Sequence, residues 1–362
     1  MVLKTLPDSR GEALRVGVIG CGRISRMHVR GYLDVEDVAV VAAAEPVAEI
    51  RNDFGQEFGV DKLYDDYHQM LSSEQLDIVS ICTWPPLHHE MVLAAARSGA
   101  KVIFCEKPLA IDLDEADDML AACQDAGAIL VVNHYRRFAA PYRTAGELVR
   151  AGAIGNIERI EVTSLGDLLT DGTHSIDLIR FLNDDNPVVR VFAQVDLSEV
   201  VQRYGHLTEA GSLAGIDFEN GVRALMELGS ATPSNAYQRI AITGSAGSID
   251  VRGDSDLRLV VKRDGHGPQD IPAGPAESGS HAFAAEVRTA LDALGGGPEH
   301  PLSGDSARAN LEVLIAIYES ARQHAPVVLP VSTRTFPLAE MASEREALPD
   351  IELQRRAARL GA

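Results

Sequence analysis

The stretch LRVGVIGCGRISRMHVRG, Leu14 to Gly31, decides the fold. An apolar run from Val16 to Ile19 meets Gly20-Cys21-Gly22, and Ile24, Met27 and His28 follow at helical spacing. That order predicts the strand, tight turn and helix of a nucleotide-binding βαβ unit. Gly20 permits the sharp turn. Gly22 lets backbone approach a pyrophosphate, whose charge would meet the free N–H groups and positive end of the helix opening at Arg23 and Ile24. Ser25 stands where a third glycine is usual. Glycine turns of this kind also occur without a nucleotide, so the reading depends on the rest of the chain.

With 362 residues, 46% hydrophobic, the chain is long enough for two domains with substantial cores. Acidic residues outnumber basic ones, 53 to 33, giving a net charge of -20. Such a surface repels phosphate backbones and argues against a nucleic-acid partner. Cys21, Cys82, Cys105 and Cys123 stand singly in apolar contexts, which predicts buried free thiols rather than a zinc site or disulfides. No HxxxH or clustered ligand set suggests a metal. The N-terminus lacks an apolar signal core and no stretch approaches the length of a membrane span, so a cytoplasmic protein is expected.

Outward from the glycine turn, residues 1–13 read as a flexible start, and Val38 to Glu45 as a second buried strand. A carboxylate at its end, Glu45, can accept both adenosine ribose hydroxyls and repel a 2'-phosphate, favouring NAD over NADP. The alternative is a helix-start carboxylate beside Pro46, and Arg51 weakens the selectivity argument by offering a phosphate partner. Leu76 to Cys82 predicts a further strand, ending in Thr83-Trp84-Pro85-Pro86-Leu87-His88. Prolines there stop regular structure at a strand end that faces the cofactor. Thr83 and Pro85 would line the ribose or nicotinamide. Trp84 either packs over a ring or caps the core, and His88 is either a loop contact or a structural histidine. Val102 to Cys105 is another strand, ending in Glu106-Lys107-Pro108. A charged pair at such a position costs too much desolvation to be idle packing. Glu106 can reach the nicotinamide ribose and Lys107 can offer an ammonium to a reacting oxygen; an exposed ion pair is the alternative.

The elements GCGRISRMH, Glu45, TWPPLH and CEKPL resemble the glucose-fructose oxidoreductase, inositol dehydrogenase and rhizopine catabolism (Gfo/Idh/MocA) family over about Leu14 to Pro330. The resemblance implies an N-terminal Rossmann domain and a C-terminal α/β domain on a large, mostly antiparallel open sheet that commonly supplies a subunit interface, hence a homodimer or homotetramer. It implies nicotinamide-dependent chemistry on sugars, sugar acids or polyols such as inositol, with NAD favoured and NADP possible. Lys107 would be the catalytic lysine, followed by Pro108 in what is often a cis bond. Asn133, His134 and Tyr135 would border the cofactor, and Arg137 matches the family's crossover arginine. The family's threonine-proline step is lengthened here to Thr83-Trp84-Pro85-Pro86.

The boundaries expected are 14–135 for the Rossmann domain, 136–333 for the substrate and oligomerisation domain, and 334–362 for a charged, partly helical extension. Within the second domain, Asp167 to Asp177 carries the other dense group of polar residues. His174 and Asp177, three apart, fall on neighbouring positions of one helical face. His174 is the expected proton acceptor, since an imidazole exchanges protons near neutral pH. The family pattern places an aspartate four residues before this histidine, where Thr170 stands; Asp171 is one residue later. Either Asp171 or Asp167 orients Lys107, or Thr170 binds substrate by its hydroxyl. Further strands are expected at Val188 to Val195, Gly215 to Leu228, Tyr237 to Thr243 and Leu257 to Val261, with a loop from Gly265 to Ser280. The expected activity is hydride transfer between nicotinamide C4 and a secondary alcohol or ketone. A glycosidase using transient oxidation, a non-catalytic NAD-binding sensor and an imine reductase are the rivals.

Overall fold

The computed structural model describes residues 13–229, 238–253, 258–272 and 279–347. Six short apolar strands, β1 (Leu14–Ile19), β2 (Val38–Ala44), β3 (Lys62–Tyr64), β4 (Ile78–Ile81), β5 (Val102–Cys105) and β6 (Ile129–Val132), form one parallel sheet in the order 3-2-1-4-5-6. Its strands are buried on both faces because helices α1 (Arg23–Leu33), α2 (Ala48–Phe58), α3 (Tyr67–Ser73), α4 (His88–Arg97) and α5 (Leu113–Ala126) alternate with them. This is the doubly wound Rossmann topology, and its strand ends open on one crevice. Within α1, Gly31 lies against α8 (Gly279–Leu294): a Cβ there would sit 2.7 Å from the Phe283 ring.

The chain then forms α6 (Ala140–Arg150), β7 (Ile157–Ser164) and α7 (Thr173–Leu182). Strands β8 (Val188–Arg203), β9 (His206–Phe218), β10 (Arg223–Gly229), β11 (Gln238–Gly244), β12 (Gly247–Gly253), β13 (Arg258–Arg263), β14 (Gln269–Ile271) and β15 (Val327–Val328) join β7 in a nine-stranded sheet. Only the β7–β10 pair is parallel. The expected run Gly215 to Leu228 is two strands, because Asn220 and Gly221 turn the chain between β9 and β10. β12 was not expected, and β14 interrupts the expected loop; residues 230–237, 254–257 and 273–278 lie outside the described residues. Helices α7 and α9 (Gly304–Gln323) cover one face of the sheet. On the other, outward residues alternate with buried ones, leaving Phe192, Leu213 and Leu225 exposed. Of the C-terminal extension, α10 (Pro337–Ala347) packs on α9 through buried Leu338 and Met341, and residues 348–362 lie outside the described residues. The four cysteines are buried and free. Among the described residues no helix is long and apolar enough to cross a membrane.

Candidate active site

At the end of β1, Gly20 has φ +87 and a Cβ there would lie 2.7 Å from the Cys82 carbonyl oxygen, so only glycine turns the chain this close to its neighbour. Gly22 is exposed, with nothing within 4 Å of a Cβ position. As the N-cap of α1 it supplies no side-chain bond to the first-turn N–H groups. Ser25 is buried and its hydroxyl donates to the Gly22 carbonyl at 2.7 Å, so a serine closes the turn where a third glycine is usual. An open, uncapped helix start with exposed Arg23 and half-buried Ile24 fits a pyrophosphate. Glu45, at the end of β2, accepts from the backbone N–H of Cys21 at 3.1 Å and of Val47 at 3.0 Å. Its carboxylate is thereby fixed beside the turn, where an adenosine ribose would lie.

Beyond β4, Thr83 is half buried, and its hydroxyl donates to the Met91 sulfur. Trp84 does not cap the core: it is 58% exposed and edge-on to Tyr204 at 6.4 Å between ring centroids. Pro85 is buried at the start of a short turn. His88 does not reach a cofactor surface. It is fully buried, with its ring nitrogens 2.9 Å from the Pro108 carbonyl and 3.2 Å from that of Thr83, so it ties two strand-end loops together.

At β5 the exposed ion pair is also excluded. Glu106 is buried and turned inward, accepting from Asn133 at 2.6 Å and lying 3.0 Å from His28 Nε2. Burial pushes its carboxyl up, but His28, Lys107 and Asn133 outweigh it and hold it below the usual carboxylate range. One oxygen, Oε1, is committed to His28 and Asn133, while Oε2 accepts from the Lys107 backbone N–H at 3.2 Å. Lys107, before a cis Lys107–Pro108 bond, donates from Nζ to the Thr170 carbonyl at 2.8 Å. Burial lowers its pKa, against the opposing charges of Glu106 and Asp171.

Residues 168–172 form a wide helical turn before α7, in which the Gly172 N–H donates to the Asp167 carbonyl five residues back. Within this turn Asp171 acts electrostatically on Lys107. Asp167 caps the turn by accepting from Thr170 N–H at 2.7 Å, and its other oxygen lies 3.3 Å from Arg203, which is also 3.6 Å from Asp171. The Thr170 hydroxyl lies 3.4 Å from His206 Nε2. His174 is buried against the rings of His134 and Tyr135, and its Nδ1 has no hydrogen-bond partner among the described residues. Burial, then the charges of Arg136 and Lys107, push it well below the usual imidazole value, so it is neutral.

Arg137 and Asp177 pair with each other. Arg137 is buried, donating to both oxygens of Asp177 at 2.9 Å and to Asp185 at 2.7 Å, so its guanidinium faces two carboxylates. Asp177 correspondingly faces Arg137 and Asn310, not the histidine three residues before it. This pair fastens the crossover onto α7. The sequence reading missed Arg136, Arg203, Tyr204, His206 and Glu209. Of these, Glu209 accepts from Leu168 N–H and the Tyr318 hydroxyl, both at 2.7 Å, and burial raises its pKa to about 7.

Residues 14–134 match the model of an oxidoreductase family with an NAD-binding Rossmann fold, and residues 147–329 that family's C-terminal α/β domain. The chain belongs to the Gfo/Idh/MocA family. Among its curated relatives, D-apiose dehydrogenase of Paraburkholderia graminis is 30% identical over 86% of this chain and 88% of its own. Myo-inositol 2-dehydrogenase of Thermotoga maritima is 28% identical, over 65% and 74% respectively. An oxidoreductase from Agrobacterium radiobacter, solved with NAD+, L-tartaric acid and magnesium, shares the fold. It has a TM-score of 0.77 at 22% identity, with 87% of this chain and 98% of that one covered.

Proposed function

We propose that this Gfo/Idh/MocA member is an NAD-dependent dehydrogenase that interconverts a secondary alcohol and a ketone on a sugar, sugar acid or polyol. The observation carrying this reading is that Lys107, at the end of a Rossmann strand, bonds across the domain interface to the Thr170 carbonyl, one turn before the buried His174. When bound, NAD supplies a hydride acceptor at nicotinamide C4. The Gly20–Ile24 turn would hold its pyrophosphate, Glu45 its adenosine ribose, and Thr83 and Pro85 its nicotinamide side. The Glu45 carboxylate favours NAD over NADP by repelling a 2'-phosphate.

In the oxidative direction the substrate carbon loses a hydride, its hydroxyl loses a proton, and a C=O bond forms. Lys107 keeps protons on Nζ beyond the one given to Thr170 and can hold the substrate oxygen. His174, neutral and with a free ring nitrogen, can take the proton, and Asp171 steadies the lysine's charge. Thr170 contributes its carbonyl, with its hydroxyl available to the substrate. A carbohydrate or polyol is the expected small-molecule partner. A second copy of the chain is the expected protein partner, since Phe192, Leu213 and Leu225 leave an apolar strip on the open sheet face.

The test is a screen of sugars, sugar acids and inositols with NAD and, separately, NADP, following the reduced cofactor's absorbance. NAD-linked turnover that disappears in Lys107→Met supports the assignment. Net hydrolysis, or NAD binding without turnover of any member of the series, favours the glycosidase or the sensor instead. Sedimentation of Phe192→Arg beside the native protein tests the sheet-face interface.

A further inference from the structure

We propose that the tip of the β8–β9 hairpin and the Trp84 loop form a second sugar subsite, an aromatic lip that stacks the ring beyond the one being oxidised. The preferred substrate is then a glycoside or disaccharide. This inference rests on the dehydrogenase reading above.

The lip is built by both domains. Arg203 pairs with His206, and the two residues between them, Tyr204 and Gly205, have φ +48 and +82. Such two-residue turns favour Asn-Gly or Asp-Gly, because both positions need positive φ. A tyrosine in the first position is held there against its backbone preference, and strain of this kind gathers at functional sites. Gly205 brings the turn onto the Rossmann side: a Cβ there would lie 3.1 Å from Pro86 Cγ. Tyr204 meets Trp84 edge-on, yet the two remain 41% and 58% exposed. A tryptophan retained for stability would be buried.

The same turn reaches inward. The Arg203 guanidinium lies 4.9 Å from the Tyr204 ring centroid and 3.3 Å from Asp167, while His206 lies 3.4 Å from the Thr170 hydroxyl. A continuous series of contacts thus joins the lysine's acceptor to the exposed aromatics. Sugar rings present C–H faces that pack on aromatic rings and edge hydroxyls that bond to guanidinium and carboxylate groups. The lip offers exposed rings and the Arg203 guanidinium.

Trp84 is the only tryptophan among the 362 residues, so indole emission reports this site alone. The experiment titrates NAD-saturated full-length Lys107→Met protein, in which no reduced cofactor accumulates to absorb indole emission, with D-glucose, D-xylose and myo-inositol, and with cellobiose, maltose, xylobiose and galactinol. The expected result is a saturable emission change with at least one two-ring ligand at a concentration about tenfold or more below its one-ring parent. Tyr204→Asn, added to this variant, gives the turn its favoured residue and should keep the thermal midpoint and abolish the advantage. If no two-ring ligand outperforms its parent, or if Tyr204→Asn keeps the advantage, the subsite is wrong. Absence of turnover on every sugar in the native protein counts against the dehydrogenase reading and leaves the emission result to decide the lip.

Discussion

Two buried glutamates, one in each wall of the cleft, meet opposite fates. Glu106 in the Rossmann wall faces His28, Asn133 and the Lys107 charge, which together hold its carboxyl below the usual range despite burial. Glu209 in the second wall receives only neutral donors, Leu168 N–H and the Tyr318 hydroxyl, and burial carries it up to about 7. Both side chains are hydrogen-bonded; the difference is a cationic partner. Burial therefore sets the direction of a carboxyl's shift only where no opposite charge answers it. One wall keeps its charge across the neutral range, and the other titrates within it.

The largest effect should come from the charged wall. Lys107→Met is expected to lower kcat/KM by about 10⁴-fold while leaving NAD affinity nearly unchanged, as measured by steady-state kinetics and calorimetry. Equal loss of NAD binding would mean that the lysine holds cofactor instead of substrate. In the opposite wall, His174→Asn should cost about 10²-fold. Because native His174 is held well below its ordinary value, kcat/KM should show no acid limb from it near pH 6.5. An acid limb centred there in the native protein and absent from the variant would break the assignment.

The glutamates themselves give a matched pair of stability tests. A carboxyl whose folded pKa is raised stabilises fully below its unfolded value, and that contribution is lost as pH rises through the folded one. Native protein should therefore lose about 3 kcal/mol between about pH 4.5 and 7.5 through Glu209. Glu209→Gln should flatten that slope in urea unfolding across this range. Glu106 has the reverse sign: its contribution is present above the unfolded value and lost as pH falls through the folded one. Glu106→Gln should destabilise the protein at neutral pH, with the loss shrinking in acid. Parallel pH slopes in the two variants would erase the contrast between the walls.

The Rossmann wall was legible because its site residues sit at the ends of short buried strands, each announced by apolar residues and closed by glycine, proline or charge. Gly20, Glu45 and Lys107 could be placed from such local patterns. The hairpin wall was not, for a reason of register. β8 carries irregularities between Val188 and Arg190 and between Asp196 and Val200, so its alternation changes phase and the readable run stops at Val195. Tyr204-Gly205 is no ordinary turn signal, which hid Arg203, His206 and Glu209. His88 and Arg137 were legible as polar residues near strand ends, but sequence could not show that carbonyls or Asp177 had already claimed them. Nor did the sequence show that residues 168–172 form a wide turn with a different spacing from the α-helix.

Helix α8 lies far along the chain, yet its Phe283, Ala284, Val287 and Ala290, with Leu302 beyond it, pack into the same apolar cluster as Val16, Val18, Phe104 and Val131 of the parallel sheet. The nucleotide-binding half is thus translated first and completed last. A chain lacking α8 would lack the side chains that cover this flank of the sheet.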